Sequence, residues 1–291
     1  MILTDSILLV EPIGFEFNSQ TAVDNKFQKD NNSSLAMFQF NAFKTTLVEA
    51  GVNVRIYTPK DQKTPDALFP NNWFSTFPSG RMIVYPMMAQ NRRLEKRADL
   101  IESLKQDYPT LFDLSTFEKS EDFLEGTGSL VIDHELKLAF ACISKRTSLV
   151  AMSLWKKITS YNTITFEAND ETGFPIYHTN VLLTLAENFA ILCEEAIIPA
   201  ERNKIIRSLE ATGRAVIKIS LDQMKKFGGN CIELKNRKGE HLLVMSKQAR
   251  NAFNKDQIGL IEKYCQIISS DLSEIETIGG GGARCMIAEL F

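Results

Sequence analysis

The sequence predicts an α/β protein folded as a closed ring of five similar units, a propeller-like single domain spanning residues 1–291. Three observations carry this prediction. The order hairpin, helix, strand recurs at intervals of roughly 50 residues, the mark of a repeat architecture. Asn72, Glu125, His178, Asn230 and Cys285 all fall at or just before the first strand of successive units, 52 to 55 residues apart. Finally, a chain that is 44% hydrophobic and 24% charged can bury a large core, enough for one large domain or two small ones.

The first unit combines a strand at 7–10, a helix at 35–49 and a strand at 52–57, with the C-terminal strand completing the circle. The second runs from 73–77 through the turn Pro78-Ser79-Gly80 to 82–85, then a helix over about 91–104. The third is a hairpin over 128–143 turning at Asp133-His134-Glu135, a helix over 147–158 and a strand at 163–167. In the fourth, a hairpin at 181–197 turns near Glu187-Asn188, a helix follows Pro199, and a strand occupies 215–219. The fifth is a hairpin at 231–245 around Asn236-Arg237-Lys238-Gly239, a helical stretch to about 268, and the closing strand 284–290. Alternating apolar runs, Gly/Asn/Asp turns and proline at a helix start support each element. One hairpin with one helix cannot bury both faces, so the units need neighbours on either side.

Equivalent positions in such a ring surround one axis, which brings the five phased residues to one central cleft. Among the three histidines, His134 and His241 lie at hairpin turns and read as solvated; only His178 is in phase. Cys142, Cys193, Cys231 and Cys265 sit in apolar or amphipathic runs, where cysteine acts as a small hydrophobe. Cys285 instead follows Gly279-Gly280-Gly281-Gly282, which lets backbone approach a ligand closely. Glu125 lies between an apolar pair and a glycine-rich run. A thiol, an imidazole and a carboxylate on one axis supply a nucleophile, a proton carrier and an orienting group, as covalent C–N bond cleavage requires.

No cofactor is called for, and no ligand pair has helical i,i+4 or knuckle spacing, so no metal is expected. Further candidates for substrate binding are Asp66, Asn71 and Asn72 in Pro65–Trp73, Asn180 beside His178, and Arg92, Arg93 and Arg146, which can grip a carboxylate bidentately. A net charge of -3 from interspersed residues points away from nucleic acid and membrane surfaces. The expected partner is a small polar molecule, with a homo-oligomer possible. Five cysteines without C-x-x-C spacing, no basic leader and no apolar run of ~18 residues point to a cytoplasmic protein.

These motifs together resemble the guanidino-group-modifying, or pentein, superfamily of five-bladed α/β propellers. Residues 279–286 resemble the deiminases' glycine-rich cysteine motif, Leu124-Glu125-Gly126 the acid-glycine motif, and Ser144-Lys145-Arg146-Thr147 the substrate-binding segment of dimethylarginine hydrolases. The resemblance covers nearly the whole chain and implies pseudo-fivefold hairpin-helix-strand units and hydrolysis of a ureido or guanidino amino acid. Where those hydrolases carry an acidic pair, this chain has Asn71 and Asn72. A guanidinium favours carboxylates, whereas a neutral ureido group needs both donors and acceptors. The N-terminal run 18–28 is similar to citrulline-utilisation hydrolases, so the expected substrate is citrulline, cleaved to ornithine, ammonia and carbon dioxide. The alternatives are a dimethylarginine or arginine deiminase-type hydrolase, an amidinotransferase, and a non-enzymatic binding propeller. The polar segment 14–34 is the expected lid.

Overall fold

A computed structural model describes residues 1–31 and 33–291; of the expected lid, Asn32 alone lies outside the described residues. In chain order the elements are β1 (Ser6–Val10), α1 (Ala36–Glu49), β2 (Asn53–Tyr57), β3 (Phe74–Phe77), β4 (Arg81–Val84), α2 (Gln90–Arg93), α3 (Ala98–Leu104), β5 (Thr110–Asp113), α4 (Gly126–Ser129), β6 (Val131–Asp133), β7 (Leu138–Cys142), α5 (Leu149–Thr159) and β8 (Asn162–Phe166). There follow β9 (Leu183–Leu185), β10 (Phe189–Leu192), α6 (Pro199–Glu210), β11 (Ala215–Lys218), α7 (Leu221–Lys225), β12 (Ile232–Lys235), β13 (His241–Ser246), α8 (Lys247–Ala252), α9 (Lys255–Ile261), β14 (Gln266–Ser270), α10 (Ser273–Gly279), α11 (Ala283–Met286) and β15 (Ala288–Leu290).

The strands form five three-stranded sheets. In each, an antiparallel pair is extended by a parallel third strand reached through a helix, as β6-β7-β8 with α5 shows. A parallel neighbour requires such a crossover. The N-terminal sheet borrows its antiparallel strand from the other end of the chain: β15 pairs with β1 in the register Ser6↔Leu290, Ile7↔Glu289, Leu8↔Ala288. Neighbouring sheets touch through β15 and β3, α4 and β3, β6 and β9, β9 and β12, and α1 and β14. The central strands are the most buried, whereas the outer β2, β5 and β11 are largely exposed on one side.

Local chemistry sets many of the boundaries. Gly80 and Gly239 adopt φ of +73° and +79° in the β3–β4 and β12–β13 turns, conformations that glycine reaches without a Cβ penalty. Ser148 caps α5 by accepting from the Val150 N–H, and Ser160 ends it in the left-handed region. Asn254 and Gln257 form a reciprocal capping box at α9.

The structure corrects four expectations. The helical stretch after β13 ends at Ile261, and 266–270 is a strand rather than helix: Gln-Ile-Ile-Ser-Ser pairs parallel to β13. The helix expected over 91–104 breaks into α2 and α3, and the edge strand β5 follows it, pairing with β4. The closing strand begins at Ala288, because Arg284 and Cys285 belong to the one-turn α11. His134 is buried rather than solvated, bonded to the Tyr161 hydroxyl at 3.1 Å and packed edge-on against Phe77 and Phe291. Burial holds its pKa down at about 4.

Trp155 of α5 is fully buried and donates its indole N–H to the Tyr85 hydroxyl at 3.1 Å, linking the second and third sheets. Trp155→Ala removes a large ring and orphans part of this link. It is expected to lower unfolding stability by about 3–5 kcal/mol in chemical denaturation, with an unchanged midpoint contradicting that role.

Candidate active site

The phased residues sit on short turns that lead into the inner strands. Asn72 ends a 3-10 turn (Pro70–Asn72), Glu125 immediately precedes α4, His178 precedes a second 3-10 turn (Thr179–Val181), Asn230 precedes β12, and Cys285 lies in α11. Glycines let these turns close on one another. A Cβ on Gly128 would lie 2.5 Å from Asn72 Nδ2 and 2.7 Å from His178 Nδ1, and one on Gly126, whose φ is +46°, only 2.2 Å from the Asn71 carbonyl.

Cys285 is buried, and its Sγ accepts from Asn230 Nδ2 at 3.3 Å and Asn180 Nδ2 at 3.5 Å. Burial pushes the thiol pKa up, against the opposing pull of Asn230, Arg284, Asn180 and the Gly282 backbone. His178 is also buried, which lowers its pKa despite the opposing pull of Glu125. Thiol and imidazole are therefore both neutral in the resting site near pH 7.

Glu125 accepts from His178 Nε2 at 2.9 Å, from the Met88 backbone N–H at 3.0 Å and from Arg146 at 3.4 Å. Burial alone would raise its pKa, but Arg146, His178 and Arg92 together hold it well below the usual carboxylate range. It is a fixed anion beside the imidazole. Arg146, a buried guanidinium, also binds Asp24 through both Nε and Nη2, donates to the Thr21 carbonyl at 2.8 Å and lies over the Tyr177 ring.

Arg92 is likewise buried, gripping Glu95 at 2.8 and 3.0 Å and donating to Asn72 Oδ1 at 2.6 Å. This fixes the Asn72 amide and leaves its Nδ2 without a partner among the described residues. Asp66 accepts from Asn18 and Thr21 through Oδ2, while Oδ1 has no partner among the described residues. Asp66, Asn72, Arg92, Arg146, His178 and Cys285 line one narrow pocket.

Two of the expected binding residues are placed differently. Asn71 does not line this pocket; it is buried against α4, where its carbonyl accepts from Thr127 at 3.3 Å. Arg93 lies outside as well, bonded to the Met87 and Met88 carbonyls, so it braces the segment whose N–H reaches Glu125. Asn180 reaches the pocket only through its bond to Sγ.

Phe69 and Tyr177 have no role in the sequence reading, and Thr21 and Asn25 only a place in the expected lid, yet all four line the pocket. Asn25 and Gln28 donate to the Gly279 carbonyl at 3.4 and 3.1 Å, and Tyr177 donates to that of Gly280 at 2.8 Å. The polar N-terminal segment thus lies across the glycine run. Its lack of helix or strand periodicity was the available signal. Among the described residues no group of three or more His, Cys, Asp or Glu could hold a metal ion, and no helix is long and apolar enough to cross a membrane.

Gly128→Ala should push Asn72 and His178 apart and reduce turnover by about 100-fold or more. Steady-state kinetics check this, and activity within a factor of about two of the parent would contradict the close packing.

Several solved structures share this fold. ArgZ, an arginine dihydrolase from the ornithine-ammonia cycle in cyanobacteria, is 17% identical with a TM-score of 0.79 over 97% of this chain. This chain spans only 40% of that ArgZ chain; against the N-terminal domain of ArgZ bound to substrate, the coverage is 97% and 96%, with 17% identity and a TM-score of 0.78. A dimethylarginine dimethylaminohydrolase, solved as an adduct with S-methyl-L-thiocitrulline, is 16% identical with a TM-score of 0.71, covering 99% of this chain and 100% of its own. No curated protein matches the chain in sequence. The model of the family described as N,N dimethylarginine dimethylhydrolase, eukaryotic, matches residues 11–291, and the chain belongs to this family of hydrolases acting on the C–N bonds of guanidino compounds.

Proposed function

We propose that the chain is a single catalytic domain, a five-bladed propeller around its site, that hydrolyses the terminal C–N bond of a ureido amino acid, with citrulline as the substrate. The observation that carries this reading is the Asn72 amide: Arg92 holds its Oδ1 at 2.6 Å, so Nδ2 is the group left to meet a ligand. That donor suits a carbonyl oxygen. The free Oδ1 of Asp66 is an acceptor for a substrate N–H.

Cys285 Sγ attacks the ureido carbon as its proton passes to His178, giving a tetrahedral adduct. His178 returns the proton to the departing nitrogen, ammonia leaves, and the ornithine nitrogen stays joined to Sγ through the carbonyl. Water, deprotonated by His178, then displaces the thiol. The released carbamate loses carbon dioxide to give ornithine. Glu125 stabilises the imidazolium formed in each half-reaction, and the depressed pKa that Arg146 helps to impose keeps it ionised throughout. The Asn230 and Asn180 amides, which already donate to Sγ, support the developing thiolate.

A second reading is hydrolysis at the guanidino carbon of arginine or a methylated arginine. It is favoured by the family itself and by structural neighbours such as AgrE, solved with L-arginine.

Incubation with citrulline, arginine and dimethylarginine separately, with identification of products, tests the reading. Ornithine and ammonia from citrulline, lost in Cys285→Ala, are expected; silence with citrulline alongside turnover of arginine would transfer the assignment to the second reading. Asn72→Asp should shift the ratio of kcat/KM by about tenfold or more towards a guanidinium. Because His178 titrates below its ordinary value of 6.5, kcat/KM is expected to stay level as pH falls through 6.5 and to decline only below it. An acid limb at or above 6.5 would contradict the neutral resting imidazole.

A further inference from the structure

Beside the catalytic pocket, and separated from it by Tyr177, lies a second and larger cavity of ≈ 360 Å³. Its apolar wall is made by Phe27, Tyr177 and Phe227, with Phe27 set edge-on to Tyr177 at 6.2 Å and tilted against Phe227 at 5.2 Å. Lys26 and Lys29 stand exposed on the rim.

Glu276 of α10 also lines this cavity. It is 2% exposed, and neither carboxyl oxygen has a hydrogen-bond partner among the described residues. A buried, unpaired carboxylate is costly to a fold. Burial raises its pKa to about 8 and Asp271 adds to this; the nearby Ser246 hydroxyl opposes it, although it makes no hydrogen bond to either oxygen. The cations across the cavity leave it alone: Lys225 pairs with Glu171 at 2.7 Å, and Lys26 lies over the Phe174 ring at 4.5 Å. The other charged lining groups are Asp24, bound to Arg146, and Asp170, which holds its own turn.

We propose that this cavity is a second ligand site for a basic amino acid, whose side-chain cation pairs with Glu276, whose methylene stem lies against Phe27, Tyr177 and Phe227, and whose carboxylate meets Lys26 and Lys29. The aromatic faces favour an organic cation over a metal ion, and the opposed charges of floor and rim favour a ligand carrying both signs. The site does not depend on what the catalytic pocket cleaves. Its wall is nevertheless shared: Tyr177 holds the Gly280 carbonyl of the cysteine loop.

Calorimetric titration of the intact protein with L-ornithine and 1,5-diaminopentane, neither of which has a ureido or guanidino group to cleave, tests this. L-ornithine is expected to bind at a site unaffected by Cys285→Ala and weakened about tenfold or more by Glu276→Gln. The double change Lys26→Ala and Lys29→Ala should weaken ornithine but leave diaminopentane unchanged. Because a cation favours the ionised carboxyl, binding at pH 7 should release close to one proton, read from the heats in two buffers. The same release with 1,5-diaminopentane, which is not a product of the catalytic pocket, keeps the proposal testable even if Glu276→Gln fails to fold. Absence of binding, no proton release, or an affinity that ignores Glu276 would overturn the proposal.

Discussion

The site depends on one buried cation. Arg146 touches Glu125, Asp24, the Thr21 carbonyl and the Tyr177 ring, and these belong to three separate stretches of chain. Removing a single partner from such a cluster leaves an uncompensated buried charge, which costs far more than the net worth of any one contact. The same guanidinium therefore helps to keep the carboxylate beside His178 ionised and ties the N-terminal segment to the cleft. The charge state of Glu125 and the seating of the N-terminal segment thus share one residue, so a change in either is felt by the other.

Much of this was legible because the repeat is strict. Cys285, His178 and Glu125 are candidates by phase, and the phase has a structural reason: each unit enters its inner strand through a short turn. Asn230 stood in that series too, but nothing in its type marked it as a partner of Sγ. The edge strands β5 and β14 were missed because Thr110–Asp113 and Gln266–Ser270 present polar, partly exposed faces that weaken the alternating pattern. The individual contacts of Asp24 and Asn25, within the expected lid, and of Tyr177 were not legible for a different reason. Their roles arise from contacts between an irregular segment and residues more than a hundred positions away, and no local period encodes such contacts. The burial of Arg92 and Arg146 was likewise invisible, since an arginine near a helix start or strand end is ordinarily a surface residue.

Family membership and the pocket point in slightly different directions, and the difference rests on few atoms. Asn72 occupies a place between the guanidinium of Arg92 and the imidazole of His178, packed against Gly128. An amide there cannot neutralise a fixed cation. It can, with its oxygen already committed to Arg92, donate to a neutral carbonyl. Discrimination of this kind is strong because a buried polar group left without its partner carries the full desolvation cost.

All of this presupposes that Cys285 forms a covalent bond with the substrate carbon. The most direct measurement is a denaturing quench during citrulline turnover, followed by peptide mass mapping. A mass gain equal to the substrate less ammonia is expected on the peptide carrying Cys285 and on no other cysteine peptide. Turnover with no adduct on that peptide, or an adduct confined to another cysteine, would contradict it.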